Sequence, residues 1–170
     1  MLTTEFKVMP WKNGGGVTTE LYRIPSTQSD SFLFRLSMAS VQSDGLFSIF
    51  PGIDRILLLL EGKGFHLKGP IVNHSMVNQI PFSFKGEEEI NCTLIEGSCL
   101  DFNVMTDRSF AKSTLSLESS ISHKRFTAES DLKFIYDKDN KKLYKLELGD
   151  ALDFNSESPT SLLVIDVTYL

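Results

Sequence analysis

The stretch Phe32-Leu-Phe-Arg-Leu-Ser-Met-Ala-Ser-Val41 decides the fold class. Phe32, Phe34, Leu36 and Met38 alternate with Leu33, Arg35, Ser37, Ala39 and Val41, and a period of two places the two sets on opposite faces of a β-strand. The first set is a packing face. The second inserts an arginine and a serine between apolar neighbours, which suits the wall of a partly wet cavity better than a dry core.

The same signals recur on either side. Residues 20–24 read as a short strand, followed by a polar loop over 25–30. Residues 56–60 are apolar on both faces, the pattern of a strand buried on both sides, and Glu61-Gly-Lys-Gly64 ends it. Further strands are predicted over 64–67, 77–80, 81–84, 90–95 and 100–106, the last with Asp101, Asn103 and Met105 facing away from Phe102 and Val104. The Ser-rich stretch 107–130 reads as strands with a loop. Residues 132–136 and 143–148 flank the turn Asp137-Lys-Asp-Asn140 as a hairpin, and strands over 151–154 and 162–170 close the chain. No segment longer than a turn or two carries a 3.6-residue apolar stripe. Short strands between turns, spaced roughly 8 to 12 residues apart, predict an all-β sandwich or barrel. A faint echo of Leu59-Leu-Glu-Gly62 in Leu146-Glu-Leu-Gly-Asp150 has the look of two small β-barrels joined in one chain.

Composition narrows the function classes. With 170 residues, 41% hydrophobic and 23% charged, the chain can bury a core as one domain or two small fused ones. A net charge of −5 and the absence of any Lys/Arg-rich run argue against nucleic acid as a partner. The longest purely apolar run, 56–60, cannot span a bilayer, and the opening Met-Leu-Thr-Thr-Glu-Phe-Lys has no signal-peptide pattern, so a cytoplasmic protein without a membrane partner is expected. In that compartment Cys92 and Cys99 are expected as free thiols.

The costliest stretch to order is Met9-Pro-Trp-Lys-Asn-Gly-Gly-Gly-Val-Thr-Thr-Glu20, since consecutive glycines lose the most backbone entropy. One reading is a sharp turn with Trp11 in the core and Lys12 in solvent. The other is a binding corner, where bare backbone N–H groups stand beside Lys12 and Asn13 and cradle an anion.

Metal chemistry is disfavoured, because His66, His74 and His123 form no His-x-His pair; no metal site and no cofactor are expected. Neither cysteine lies beside a histidine, and no Gly-x-Ser-x-Gly elbow occurs. What remains for catalysis is acid/base work by Glu20 or Asp54 with Lys12 as the acid, Glu20 being the candidate base; no catalytic residue is otherwise assigned. The preferred reading is a carboxylate-binding pocket. Arg35 and Arg55 stand next to apolar strand residues that point into a barrel, and a guanidinium fork holds a carboxylate bidentately. The alternatives are intramolecular pairs, Arg35 with Glu20 and Arg55 with Asp44 or Glu61. Ser37 and Asn103 supply a hydroxyl and an amide, or else pack and bond within the sheet. Trp11 floors the pocket or belongs to the core, while Asp54 lines it or, like Asp101, caps a turn.

Taken in order, Pro10-Trp-Lys-Asn-Gly-Gly-Gly16 with Thr18 and Glu20, Phe34-Arg-Leu-Ser37, Asp44-Gly-Leu-Phe-Ser48, Phe50-Pro-Gly-Ile-Asp-Arg55, Leu60-Glu-Gly62, Pro81-Phe-Ser-Phe84 and Asp101-Phe-Asn-Val-Met-Thr106 resemble the HutD/Ves family over about residues 8–108. The resemblance implies a bicupin: a cupin-like barrel over 1–108, a second over 109–170, and strands free to exchange between them. It also implies a link to histidine utilisation, with a small carboxylate metabolite such as urocanate or formylglutamate as ligand and no established reaction. The expected protein is therefore a metal-free ligand-binding bicupin acting as a sensor, buffer or accessory factor. An enzyme on the same metabolite, or a partner-binding β-protein that forms a homodimer through an exposed sheet, are the alternatives.

Overall fold

Period-two alternation becomes strand throughout the computed structural model, which describes residues 1–28 and 31–170. In chain order the strands are β1 (Leu2–Thr3), β2 (Lys7–Pro10), β3 (Gly16–Pro25), β4 (Phe32–Val41), β5 (Gly45–Leu46), β6 (Ile53–Glu61), β7 (Phe65–Lys68) and β8 (Asn73–Met76). They continue as β9 (Phe82–Lys85), β10 (Asn91–Leu94), β11 (Cys99–Asp107), β12 (Ala111–Thr127), β13 (Leu132–Asp137), β14 (Lys142–Glu147) and β15 (Ala151–Tyr169). Among the described residues no helix is long and apolar enough to cross a membrane.

The chain divides into two units, Phe6–Phe110 and a second made of Met1–Glu5 with Ala111–Leu170. The first holds a six-stranded antiparallel sheet in the order β2-β3-β4-β11-β6-β9 and a four-stranded one in the order β5-β10-β7-β8. The second holds one sheet in the order β1-β14-β13-β15-β12, joined at its edge by Leu2 opposite Tyr144. All three sheets are open. The all-β expectation holds, but closed barrels are not formed: the six-stranded sheet ends on β2 and β9, each four residues long and unpaired with the other.

Register fixes the inner face of the first unit. On β4, β11 and β6, Arg35, Met105 and Arg55 form one cross-strand row, Ser37, Asn103 and Leu57 the next, and Ala39, Asp101 and Leu59 a third. The polar members of these rows gather on one part of the face. Ala39, Leu57 and Leu59 pack with Val41, Phe65, Leu67, Val72, Met76, Phe84, Ile90, Cys92 and Cys99, so the two sheets of the unit share a core, while Met105 packs with Phe32 and Ile53. The opposite face carries Phe34, Leu36, Leu58, Phe102 and Val104, all fully buried, which is why 56–60 reads as apolar on both faces. Burying each such side chain contributes about 1.5–3 kcal/mol.

Three expectations need correction. The strand expected over 77–80 is a loop, with Val77 and Ile80 exposed, because the preceding Asn73–Met76 pairs with β7 and sets Met76 opposite Phe65. The strands expected over 151–154 and 162–170 are one strand, β15, which continues past Pro159 where its pairing with β12 shifts register. A proline, lacking an N–H, is tolerated at such an irregularity. The undecided 107–130 stretch is largely the single long strand β12. Of the loop expected over 25–30, residues 29 and 30 lie outside the described residues.

Candidate ligand-binding site

The polar rows of β4, β11 and β6 line a cavity of about 500 Å³ within the first unit, which Trp11, Phe47 and Phe50 also border. Of the residues singled out from sequence, Trp11, Lys12, Asn13, Arg35, Ser37, Arg55 and Asn103 line it; Glu20 and Asp54 do not.

Arg55 is 6% exposed although it carries a charge. Its guanidinium carbon lies 4.8 Å from the ring centre of Phe84, 5.3 Å from Phe47 and 5.7 Å from Phe50, an aromatic cage that holds a cation through the ring faces. Neither Asp44 nor Glu61 pairs with it, contrary to the intramolecular alternative: Asp44 Oδ1 instead accepts the Leu94 N–H at 2.8 Å, and Glu61 ends its strand in solvent. Among the described residues its one hydrogen bond is a long one, from Nε to Asn103 Oδ1 at 3.5 Å.

The carboxylate whose field reaches Arg55, without a bond to it, is Asp101, which the sequence alone suggests as a turn cap. It is 2% exposed, lines the cavity, and its Oδ1 has no hydrogen-bond partner. Burial pushes its carboxyl up to about 7, with the field of Arg55 opposing. The same burial pushes Arg55 down, partly offset by Asp101, though a guanidinium stays protonated at neutral pH. The signal for Asp101 was present as a carboxylate at period two with Asn103 and Met105 in an otherwise apolar strand.

Arg35 is already paired. Its Nε donates to Glu20 Oε2 at 2.8 Å, with both side chains mostly buried. Glu20 is thus engaged by Arg35 and is not among the residues that line the cavity. Asp54 is also withdrawn: Arg108, which sequence reading missed, donates to it at 3.0 Å and to both oxygens of Glu87, forming an exposed ion cluster.

The glycine stretch is a hairpin loop whose donors are spent internally. Gly14 N–H donates to the Trp11 carbonyl at 3.0 Å, and Gly15 N–H donates to Asn13 Oδ1 at 3.0 Å. The expected cradle of free backbone N–H groups is therefore not formed at these two glycines. Glycine is required for another reason: a Cβ on Gly16 would stand 2.4 Å from the Ser40 carbonyl oxygen and 3.0 Å from the Trp11 ring. This close approach lets Trp11 lie against the strand while its Nε1 donates to Thr18 Oγ1 at 2.7 Å. Trp11 is thus both core and cavity wall. Lys12 is exposed where it borders the cavity.

With Arg35 answered by Glu20, the lining retains two cations, Lys12 and Arg55, against one carboxylate whose proton is held near neutrality. The HutD family model matches residues 3–166 of this chain. The chain belongs to the HutD family. Among curated relatives, Protein Ves of Citrobacter koseri is 39% identical over 104 residues, 60% of this chain and 54% of that protein. An uncharacterized 21.2 kDa protein in the hutC 3′ region of Pseudomonas putida is 37% identical over 105 residues, 59% of this chain and 54% of that protein. The chain thus spans about half the length of the curated relatives it matches. Of solved structures, HutD from Pseudomonas fluorescens SBW25, in a formate condition, is 25% identical with a TM-score of 0.77 and full coverage of both chains. A conserved protein of unknown function from Pseudomonas aeruginosa PAO1 is 26% identical with a TM-score of 0.74, again over both whole chains. AerE from Microcystis aeruginosa, 9% identical with a TM-score of 0.61 over 95% of this chain and 96% of its own, shares the fold alone. The HutD-family match extends well past the motifs of residues 8–108, through β12 to β15.

Proposed function

We propose that this HutD-family chain is a metal-free, cupin-type small-ligand-binding protein. Its ligand is a carboxylate-bearing metabolite of the urocanate or formylglutamate kind, and it serves as a sensor, buffer or accessory factor in histidine or amino-acid catabolism. The two units are read as diverged cupin-type halves with open sheets. The carrying observation is Arg55, a caged and buried guanidinium on the wall of an accessible cavity, without a carboxylate bonded to it. Burying such a cation is costly unless an anion completes it, and a planar carboxylate matches its fork. The cavity wall presents one carboxylate and no histidine, a donor set poorly suited to a transition metal. The relative in the hutC 3′ region supports the metabolic setting.

The test is a thermal-shift titration with urocanate, N-formylglutamate, glutamate and histidine. A ligand at 100 times its Kd adds about 2.7 kcal/mol of stability, or roughly 5–10 °C for a chain of this size. Arg55→Gln is expected to abolish that shift. If none of the four acids shifts the transition, or if Arg55→Gln responds like the wild type, the carboxylate reading is wrong.

A further inference from the structure

We propose that Asp101 accepts a hydrogen bond from the far end of the bound acid, so that the ligands of this cavity are carboxylic acids carrying an N–H or O–H donor remote from the carboxylate. The inference rests on the carboxylate reading and adds the second half of the ligand to it.

Packing gives no reason for a carboxylate at this position. The residues beside Asp101 in its cross-strand row are Ala39 and Leu59, both buried, and an apolar side chain would continue that row. Among the described residues, Asp101 Oδ1 is the fully buried side-chain atom left without a hydrogen-bond partner. A buried acceptor in that state is a site waiting for a donor, because its hydration has been given up with nothing in exchange. Arg55 does not fill the role, since its guanidinium bonds only to Asn103. Asp101 lies four residues along β11 from the row of Arg35 and Arg55, which is about 13 Å of strand at the usual rise. The Arg55 side chain extends back along this distance as far as Asn103, leaving Asp101 to face the opposite end of a molecule anchored at the guanidinium. A small acid gripped at its carboxylate is then read at its other end by a group that rewards a donor and leaves a bare ring edge unanswered.

Matched acids differing in a single atom test this. Calorimetric titration compares pyrrole-3-carboxylate with furan-3-carboxylate, and 3-(pyrrol-2-yl)acrylate with 3-(furan-2-yl)acrylate; each pair shares its shape and exchanges an N–H for a ring oxygen. At pH 8.5, where the Asp101 carboxyl has released its proton, the wild type is expected to bind the pyrrole acid of at least one pair about tenfold or more tighter, as fits a hydrogen bond to a charged group. Asp101→Ala is expected to bring that ratio close to one while furan-acid binding persists, whereas Arg55→Gln loses both acids. If Asp101→Ala does not fold, the wild-type ratio decides, and the isosteric Asp101→Asn is expected to lower it. Equal binding of pyrrole and furan acids by the wild type, with both still lost in Arg55→Gln, overturns the role of Asp101 and leaves the carboxylate reading standing. Failure of every acid, including those of the thermal-shift panel, overturns both.

Discussion

Arg35 and Arg55 stand on either side of Met105 in one cross-strand row, yet only Arg35 has a carboxylate bonded to it. Strand parity placed both on the inner face; what separates them is the neighbour beyond. Across β4, Glu20 on β3 lies opposite Ser37 and reaches Arg35, while Arg55 on β6 has β9 as its other neighbour, with Phe84 opposite it. A carboxylate answers one guanidinium and aromatic rings answer the other. The difference assigns one arginine to holding the sheet and leaves the other for a ligand.

The Glu20–Arg35 pair is therefore expected to contribute to stability. Its side chains are 13% and 15% exposed, so screening is weaker than at a free surface. Glu20→Gln and Arg35→Gln are each expected to cost about 1–3 kcal/mol, with a coupling of about 1 kcal/mol in the double-mutant cycle measured by urea unfolding. A coupling indistinguishable from zero would show that the two side chains stabilise the sheet independently.

The glycine hairpin is expected to separate two uses of glycine. In Gly16→Ala the new methyl meets the Ser40 carbonyl oxygen at 2.4 Å and the Trp11 ring at 3.0 Å, so overpacking of about 2–3 kcal/mol is expected, along with displacement of the Trp11 indole. Gly14 has a φ of +71° with nothing within 4 Å, so Gly14→Ala is expected to cost only about 1 kcal/mol. Thermal unfolding followed by fluorescence of the single tryptophan reads both effects, and equal costs would remove the distinction.

The inner face was legible in the sequence because alternation survives in every strand that builds it. Arg35 with Ser37, and Asp101 with Asn103 and Met105, fall on one side by parity alone. Partners were legible only where they lie on a neighbouring strand within a short hairpin, as with Glu20 and Arg35. Arg108 was missed as the partner of Asp54 because the two are 54 residues apart and meet through the β6–β11 register. The aromatic cage was missed for the same reason: Phe47, Phe50 and Phe84 come from a loop and β9, and only tertiary packing brings them around Arg55. The glycine loop could be read either way, because three glycines permit both an internally bonded turn and an open cradle.

Both thiols are expected to resist modification in the folded protein. Cys92 is 1% exposed, and burial, reinforced by the nearby charges of Asp101 and Asp44, pushes its thiol up to about 12, so the reactive thiolate is scarce at pH 8. Cys99 is 3% exposed, and its Sγ lies against the Gly64 backbone, accepting its N–H at 3.3 Å and donating to its carbonyl at 3.4 Å. A disulfide-exchange reagent at pH 8 should titrate neither thiol within minutes and both after denaturation. Rapid reaction of the native protein would mean that the core between the two sheets of this unit opens readily.

Asp101 is expected to make stability depend on pH in the sense opposite to an ordinary paired carboxylate. Its carboxyl stands at about 7 in the folded chain, raised by burial from 3.8, so between these values the folded state holds a proton that the unfolded state has released. Stability then falls as pH rises through that window, by as much as about 4 kcal/mol in all at 1.36 kcal/mol per unit. Glu87, lowered to about 2 by its hydrogen bonds from Arg108, works with the opposite sign, so the net profile alone does not isolate Asp101. Asp101→Asn keeps the shape and removes the titration. The difference in melting temperature, variant minus wild type, is expected to be small near pH 4.5 and to grow by several degrees by pH 7.5. A difference that stays constant across that range would mean that Asp101 ionises as an ordinary solvated carboxylate, and its buried, unpartnered setting would lose its meaning.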